Sequence, residues 1–213
     1  MLSRMRPLQK WTQAAIFILT AVSITTATTS TRQLNLVDLV GQSQLILHGT
    51  VKSVTDGIDS RGIPYTEVTI RVAEALRGDI KGEYTFRQFG LLKPRAMGNG
   101  TVNLMVTPAG WATYTKGEET ILFLYKRAAW TGLQTTVGLG QGKFKVQMAG
   151  AMNQMSNAGL FQNVAIDSSL LGSREQRALL TQKGAVNVNA FVSLVRQAVQ
   201  GKWIEAGRMR HAQ

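Results

Sequence analysis

Between residues 65 and 78 the chain reads YTEVTIRVAEALRG, with Thr66, Val68, Ile70 and Val72 alternating against Glu67, Thr69 and Arg71. Period-two alternation predicts a half-buried β-strand. Upstream, LILHGTVKSV alternates Leu45, Leu47, Gly49 and Val51 against His48, Thr50 and Lys52, so His48 is expected to face away from the apolar side. The intervening TDGIDSRGIP is dense in turn residues, and the two runs together predict a long β-hairpin. A reversal at Leu76–Asp79 leads into a third strand, EYTFRQFG. Residues 90–118 are less regular, broken by Gly98, Gly100 and Pro108-Ala109-Gly110. The continuous apolar run Ile121–Tyr125 suits a strand buried on both faces. LQTTVGLGQGKFKVQ predicts two more short strands about Gly138, Gly140 and Gly142.

Helical patterning appears at both ends of this β-region. Asn35 can cap a short helix with Leu36, Leu39 and Val40 on one face and Gly41 near its end. Val188, Phe191, Val192, Val195 and Val199 recur at helical spacing between Asn187 and Gly201, which predicts an amphipathic helix laid on the sheet. AGAMNQMSNAGLFQN is uncharged and loop-like. The expected fold is mainly β with flanking helices (α+β): a small, partly closed antiparallel barrel of the OB type with a C-terminal amphipathic helix. A β-sandwich is the alternative. The expected organisation is a barrel over 35–148, a loop-rich segment over 149–186, the packing helix over 187–201 and a flexible tail over 202–213.

The first 34 residues have a different logic. Arg4, Arg6 and Lys10 form an acid-free basic start, Ala14–Ile24 is mostly apolar, and small residues follow through Ala27. This is the layout of a secretory signal peptide, expected over residues 1–27 and followed by a linker over 28–34. A membrane anchor is the alternative, but the apolar run is shorter than the roughly 20 residues a spanning helix needs.

Composition narrows the chemistry. The chain has no cysteine, which excludes disulfides, thiolate metal sites and cysteine nucleophiles. Its 24 bases outnumber 12 acids, a formal charge of +12. Three of those bases and none of the acids lie in residues 1–27, leaving +9. Such a balance favours an anionic partner, and an anionic polymer or a membrane surface is expected.

Candidate site residues are few. His48 and His211 are the only histidines, and no ligand spacing for a metal accompanies them. No G-x-S-x-G elbow is present. Asp56, Asp59 and Gly62 fit turn chemistry better than a calcium loop, whose final glutamate Glu67 cannot supply. GLGQGKF leads into a strand rather than a helix, so a hairpin is expected in place of a phosphate cradle. Glu118 and Glu119 are adjacent and point to opposite faces of a strand. His48, Trp111, Lys126, Arg127, Trp130 and Lys143 remain as surface-binding candidates, since OB folds stack bases on aromatics within basic grooves. No cofactor and no metal are expected.

The succession LVDLVGQSQLILHGTVKSV, DSRGIPYTEVTIRVAEALRG, FRQFG, GEETILFLY, VGLGQGKFKV and VNAFVSLVRQAV resembles a loose group of exported bacterial proteins of unknown function. The resemblance covers most of residues 35–200 and implies architecture and export. The first two strands are more distantly similar to the netrin-type, OB-like module of metalloproteinase inhibitors. There an N-terminal cysteine binds the protease zinc, a residue this chain lacks. The expected function is therefore an exported non-catalytic β-barrel protein contacting an anionic envelope component or another protein. The alternatives are a hydrolase using His48 and an OB-type binder of single-stranded nucleic acid. Sequencing the N-terminus of the chain from fractionated cells is expected to start near Thr28, in the envelope or medium. A chain still starting at Met1 inside the cell would overturn the leader.

Overall fold

The computed structural model describes residues 32–149, 152–156 and 159–212. The leader expected at 1–27 lies outside them, as does most of the linker. The first element is α1 (Leu36–Gln42), closed by a capping box in which Asn35 Oδ1 accepts the Asp38 N–H and Asp38 Oδ2 accepts the Asn35 N–H. The long hairpin follows as β1 (Leu45–Ile58) and β2 (Pro64–Arg77), then β3 (Glu83–Phe89). A small pair, β4 (Arg95–Ala96) and β5 (Val102–Asn103), stands between β3 and β6 (Glu119–Leu124), and β7 (Lys143–Lys145) completes the main sheet. That sheet is antiparallel in the order β3-β2-β1-β6-β7.

Three register shifts along β1 and β2 bend the hairpin, as bulges do. Gly49 lies at one of them. A Cβ there would stand 2.3 Å from the Arg71 carbonyl oxygen, so only glycine permits the close crossing.

The sheet separates two cores. On one face Leu45, Leu47, Val51, Val68, Ile70, Phe86, Tyr114, Leu122 and Leu124 pack together. On the other, Ile46, Ile121 and Phe123 join α1 and the C-terminal third of the chain. β6 is buried on both faces along Ile121–Leu124, as its continuous apolar run predicts.

The expected barrel is not formed, because the sheet stays open between β3 and β7. Among the described residues one backbone hydrogen bond crosses that gap, from Gln134 N–H to the Arg87 carbonyl at 2.7 Å. A longer fifth strand is ruled out by the chain itself. A 3₁₀ turn at Leu139–Gly142, with Gly138 and Leu139 both at positive φ, interrupts it and shortens β7 to three residues. The same turn replaces the hairpin expected at GLGQGKF.

The segment expected as loop-rich, 149–186, is more ordered than its composition suggests. A second, three-stranded sheet runs β11-β9-β8, built from β8 (Gln147–Ala149), β9 (Met152–Ser156) and β11 (Ala185–Asn187). β10 (Val164–Ile166) and α2 (Arg174–Leu179) also fall in this segment, and a Ser173–Gln176 capping box starts the helix. The expected flexible tail ends in β12 (Met209–His211), paired with β10, with Met209 fully buried.

α3 (Val188–Gln200) is capped by Asn187, whose Oδ1 accepts the Ala190 N–H at 3.0 Å, and ends at Gly201. Its Phe191 ring lies 6.4 Å from Phe123, 6.0 Å from Phe144 and 6.4 Å from Phe161. One side chain thus joins the main sheet, the helix and the turn before β10. Phe191→Ala is expected to cost about 3–5 kcal/mol, read as a lower denaturant midpoint with little change in slope.

Candidate functional site

Register places the charged side chains. His48 stands opposite Glu74 of β2 and opposite Ile121 of β6, while Glu119 is opposite Thr50. His48 therefore shares the face of Ile46 and Ile121. Its side chain is only 16% exposed, and its Nε2 lies 2.8 Å from Glu119 Oε1. This corrects the surface position expected for it: the face opposite Leu47 meets a second core instead of water. Among the described residues no serine hydroxyl bonds His48. Beside it Arg196 of α3 donates from Nε and Nη2 to the two carboxylate oxygens of Glu74, at 2.5 and 2.7 Å. This bidentate pair clips the helix to β2. Hydrogen bonding from Arg196 is the largest cause holding the Glu74 carboxyl below its ordinary value. Desolvation opposes it, and the nearby charges of Arg196 and His48 assist.

Glu118 and Glu119 diverge as adjacent strand residues must. Glu118 pairs with Lys143, whose ammonium also donates to the Thr113 carbonyl and lies 5.0 Å from the centre of the Tyr114 ring. The side chains of Lys143 and Glu118 are only 11% and 6% exposed, so Lys143 neutralises a nearly buried acid and is not the surface cation expected. Burial, then the charge of Glu118, pushes the Tyr114 phenol up.

The remaining candidates lie elsewhere. Trp111 is half-buried, tilted against Phe89 at 6.5 Å. Lys126 is exposed, and Arg127 donates to the Thr85 carbonyl at 3.0 Å. Trp130 is 79% exposed. The Arg61 guanidinium sits 5.6 Å from its ring and donates to the carbonyls of Trp130 and Thr131 at 2.6 and 3.0 Å. The structure therefore brings Arg61 to Trp130, at the β1–β2 tip, and leaves His48 and Lys143 in separate internal pairs.

Sequence reading passed over the neighbouring segment. Gly90 turns the chain away from β3, and a Cβ on it would meet the Thr107 backbone at 2.5 Å. From there the chain makes an excursion through β4 and β5 and returns, with Thr107 N–H bonded to the Leu91 carbonyl. Asp56, near the β1–β2 tip, holds it by accepting the Leu92 N–H at 2.9 Å and by an ion pair with Arg95. Leu92, Val102, Leu104, Met105 and Val106 are exposed along it. The signal that could have found it is a missing one: residues 84–117 contain no acid, yet include Arg87, Lys93, Arg95 and Lys116.

A cavity of about 470 Å³ opens elsewhere, with Leu34, Leu39, Phe144, Met155 and Leu160 in its walls and Lys145 in its lining. Among the described residues no three of His, Asp and Glu stand together as a metal site, and no helix is long and apolar enough to cross a membrane. No family model, curated protein or solved structure matches the chain.

The Glu74–Arg196 pair yields a pH signature. The folded carboxyl titrates below the unfolded one, ordinarily 4.5. Its stabilisation is therefore complete above the unfolded value and lost as pH falls through the folded value. Both partners are about one-third exposed, so solvent screening limits the pair to about 0.5–1 kcal/mol. Glu74→Gln is expected to lower stability by that amount at neutral pH. The difference should vanish in acid, as urea melts across the pH range would show.

Proposed function

We propose that the chain is an exported, non-catalytic binding protein that attaches to an anionic surface of the cell envelope. The observation that carries this reading is the charge left outside the fold. Twenty-one bases against twelve acids follow residue 31; seven of those acids are held in ion pairs with lysine or arginine, and two more meet a histidine. The surplus of nine positive charges has no internal counterpart. His48 directs its Nε2 to Glu119, and Lys143 its ammonium to Glu118 and the Thr113 carbonyl.

The strand order β3-β2-β1-β6-β7 supports reading the sheet as an unclosed relative of the OB arrangement. On that reading the β1–β2 tip and the loop after β6 form the end where OB folds hold ligands, the end where Arg61 meets Trp130. A second reading, single-stranded nucleic acid, is favoured by that exposed aromatic beside a guanidinium.

The test is retention of the processed protein on phosphatidylglycerol vesicles as salt rises from roughly 0.01 to 1 M, over which the screening length falls from about 30 to about 3 Å. Retention is expected to be strong at the low end and lost at the high end; retention that does not respond to salt, or none at all, removes the proposal. An oligothymidylate that quenches Trp130 at low salt while vesicles do not retain the protein would favour the second reading instead.

A further inference from the structure

We propose that the excursion between β3 and β6, residues 91–107, docks the protein on an anionic lipid bilayer by placing its exposed apolar side chains among the headgroups. This rests on the envelope-binding reading and names its partner. Among the described residues, seven large apolar side chains are exposed, and five of them, Leu92, Val102, Leu104, Met105 and Val106, fall within residues 92–106. Leu104 is 71% exposed. Scattered exposed apolar residues are ordinary, whereas a concentration of this kind marks an interaction surface.

The excursion is held in place. Leu91 at its root is fully buried. β4 pairs with β5, Thr107 bonds back to Leu91, and Asp56 fixes Leu92 and Arg95. The backbone path of the excursion is thus fixed at its root and at both strands.

Charge selects the occupant. From residue 84 to 117 there are four bases and no acid; Arg87 and Arg95 pair with Glu67 and Asp56 from outside the stretch, while Lys93, beside Leu92, and Lys116 are exposed. Apolar side chains flanked by bases match the layered chemistry of an anionic interface, with phosphate outside and acyl chain beneath. A polysaccharide would satisfy the bases and leave the apolar residues in water. Trp130, across the β1–β2 tip, adds a side chain suited to the headgroup depth.

The absence of cysteine gives a clean test. In the processed protein, Leu104→Cys and, separately, Asp79→Cys at the opposite end of β2 carry a polarity-sensitive dye. Vesicles are phosphatidylcholine alone or mixed with phosphatidylglycerol. The Leu104 label is expected to shift to the blue on the anionic vesicles only, and the Asp79 label to stay at its aqueous emission. The pair Leu104→Gln with Met105→Gln, which leaves the net charge unchanged, should weaken vesicle partitioning roughly tenfold or more, while retention on a phosphate-bearing polymer is unchanged.

An aqueous emission from both labels on a protein that still pellets with anionic vesicles overturns the docking role and leaves electrostatic attachment standing. An equal shift on phosphatidylcholine overturns the requirement for negative charge. Failure to pellet even at low salt removes the parent reading, and this one with it.

Discussion

The structure depends on a strand pair that is buried on both faces. β1 and β6 are paired from Leu45–Leu124 to Thr50–Glu119. Along that length Ile46, Ile121 and Phe123 go to the helical side, while Leu45, Leu47, Leu122 and Leu124 go to the other. Backbone groups so placed cannot reach water, and the ladder must satisfy them. Side chains face the same demand. Thr120 is fully buried and donates to the Phe144 carbonyl at 3.0 Å, and His48 turns to Glu119. Burial from two sides thus fixes both the register of the pair and the partners of the few polar groups inside it. The helix and the small sheets are assembled on this slab through Phe123, Phe144 and Phe191.

The charged pairs at its margins follow from the same geometry. Glu118 precedes β6 and Glu119 is its first residue, and extended backbone sends one to each face. Glu119 meets His48 on the helical side; Glu118 meets Lys143 beside Tyr114 on the other. The Glu118–Lys143 pair, 6% and 11% exposed, adds little net stability, but removing either partner would leave the other charge nearly buried and unmatched. That is a structural use for residues whose types alone suggest acid–base work, and it accounts for their distance from Trp130 and Arg61.

What could be read from sequence was whatever repeats over six or more residues. The β1–β2 hairpin, the doubly buried β6 and the stripe of α3 each carry enough period to declare themselves. Alternation also placed His48 opposite Leu47 correctly, but it cannot say what covers a face; α3, more than a hundred residues on, covers this one. Pairings of three residues each, such as β10 with β12 or β9 with β11, offer too little pattern to detect and join distant positions. Barrel closure failed for a related reason. It turns on whether one segment stays extended past Leu139, and the left-handed Gly138–Leu139 step decides that locally. The candidate surface was hidden because an irregular, apolar, acid-free stretch has no periodicity, and what marks it is exposure.

Rigidity at that end is what makes a small surface useful. Asp59 accepts the Arg61 and Ile63 N–H groups at 2.9 and 2.8 Å and pairs with the Arg61 guanidinium. The backbone bond from Ile63 is the largest cause lowering its pKa. The same guanidinium grips the carbonyls of Trp130 and Thr131. Three residues earlier in the strand, Asp56 holds the 91–107 excursion. A single hairpin tip therefore positions two loops that are far apart in sequence, with two acids serving as the fasteners. Loops already ordered lose little conformational entropy on contact, so a handful of apolar side chains and bases can suffice where a mobile segment of the same composition would not.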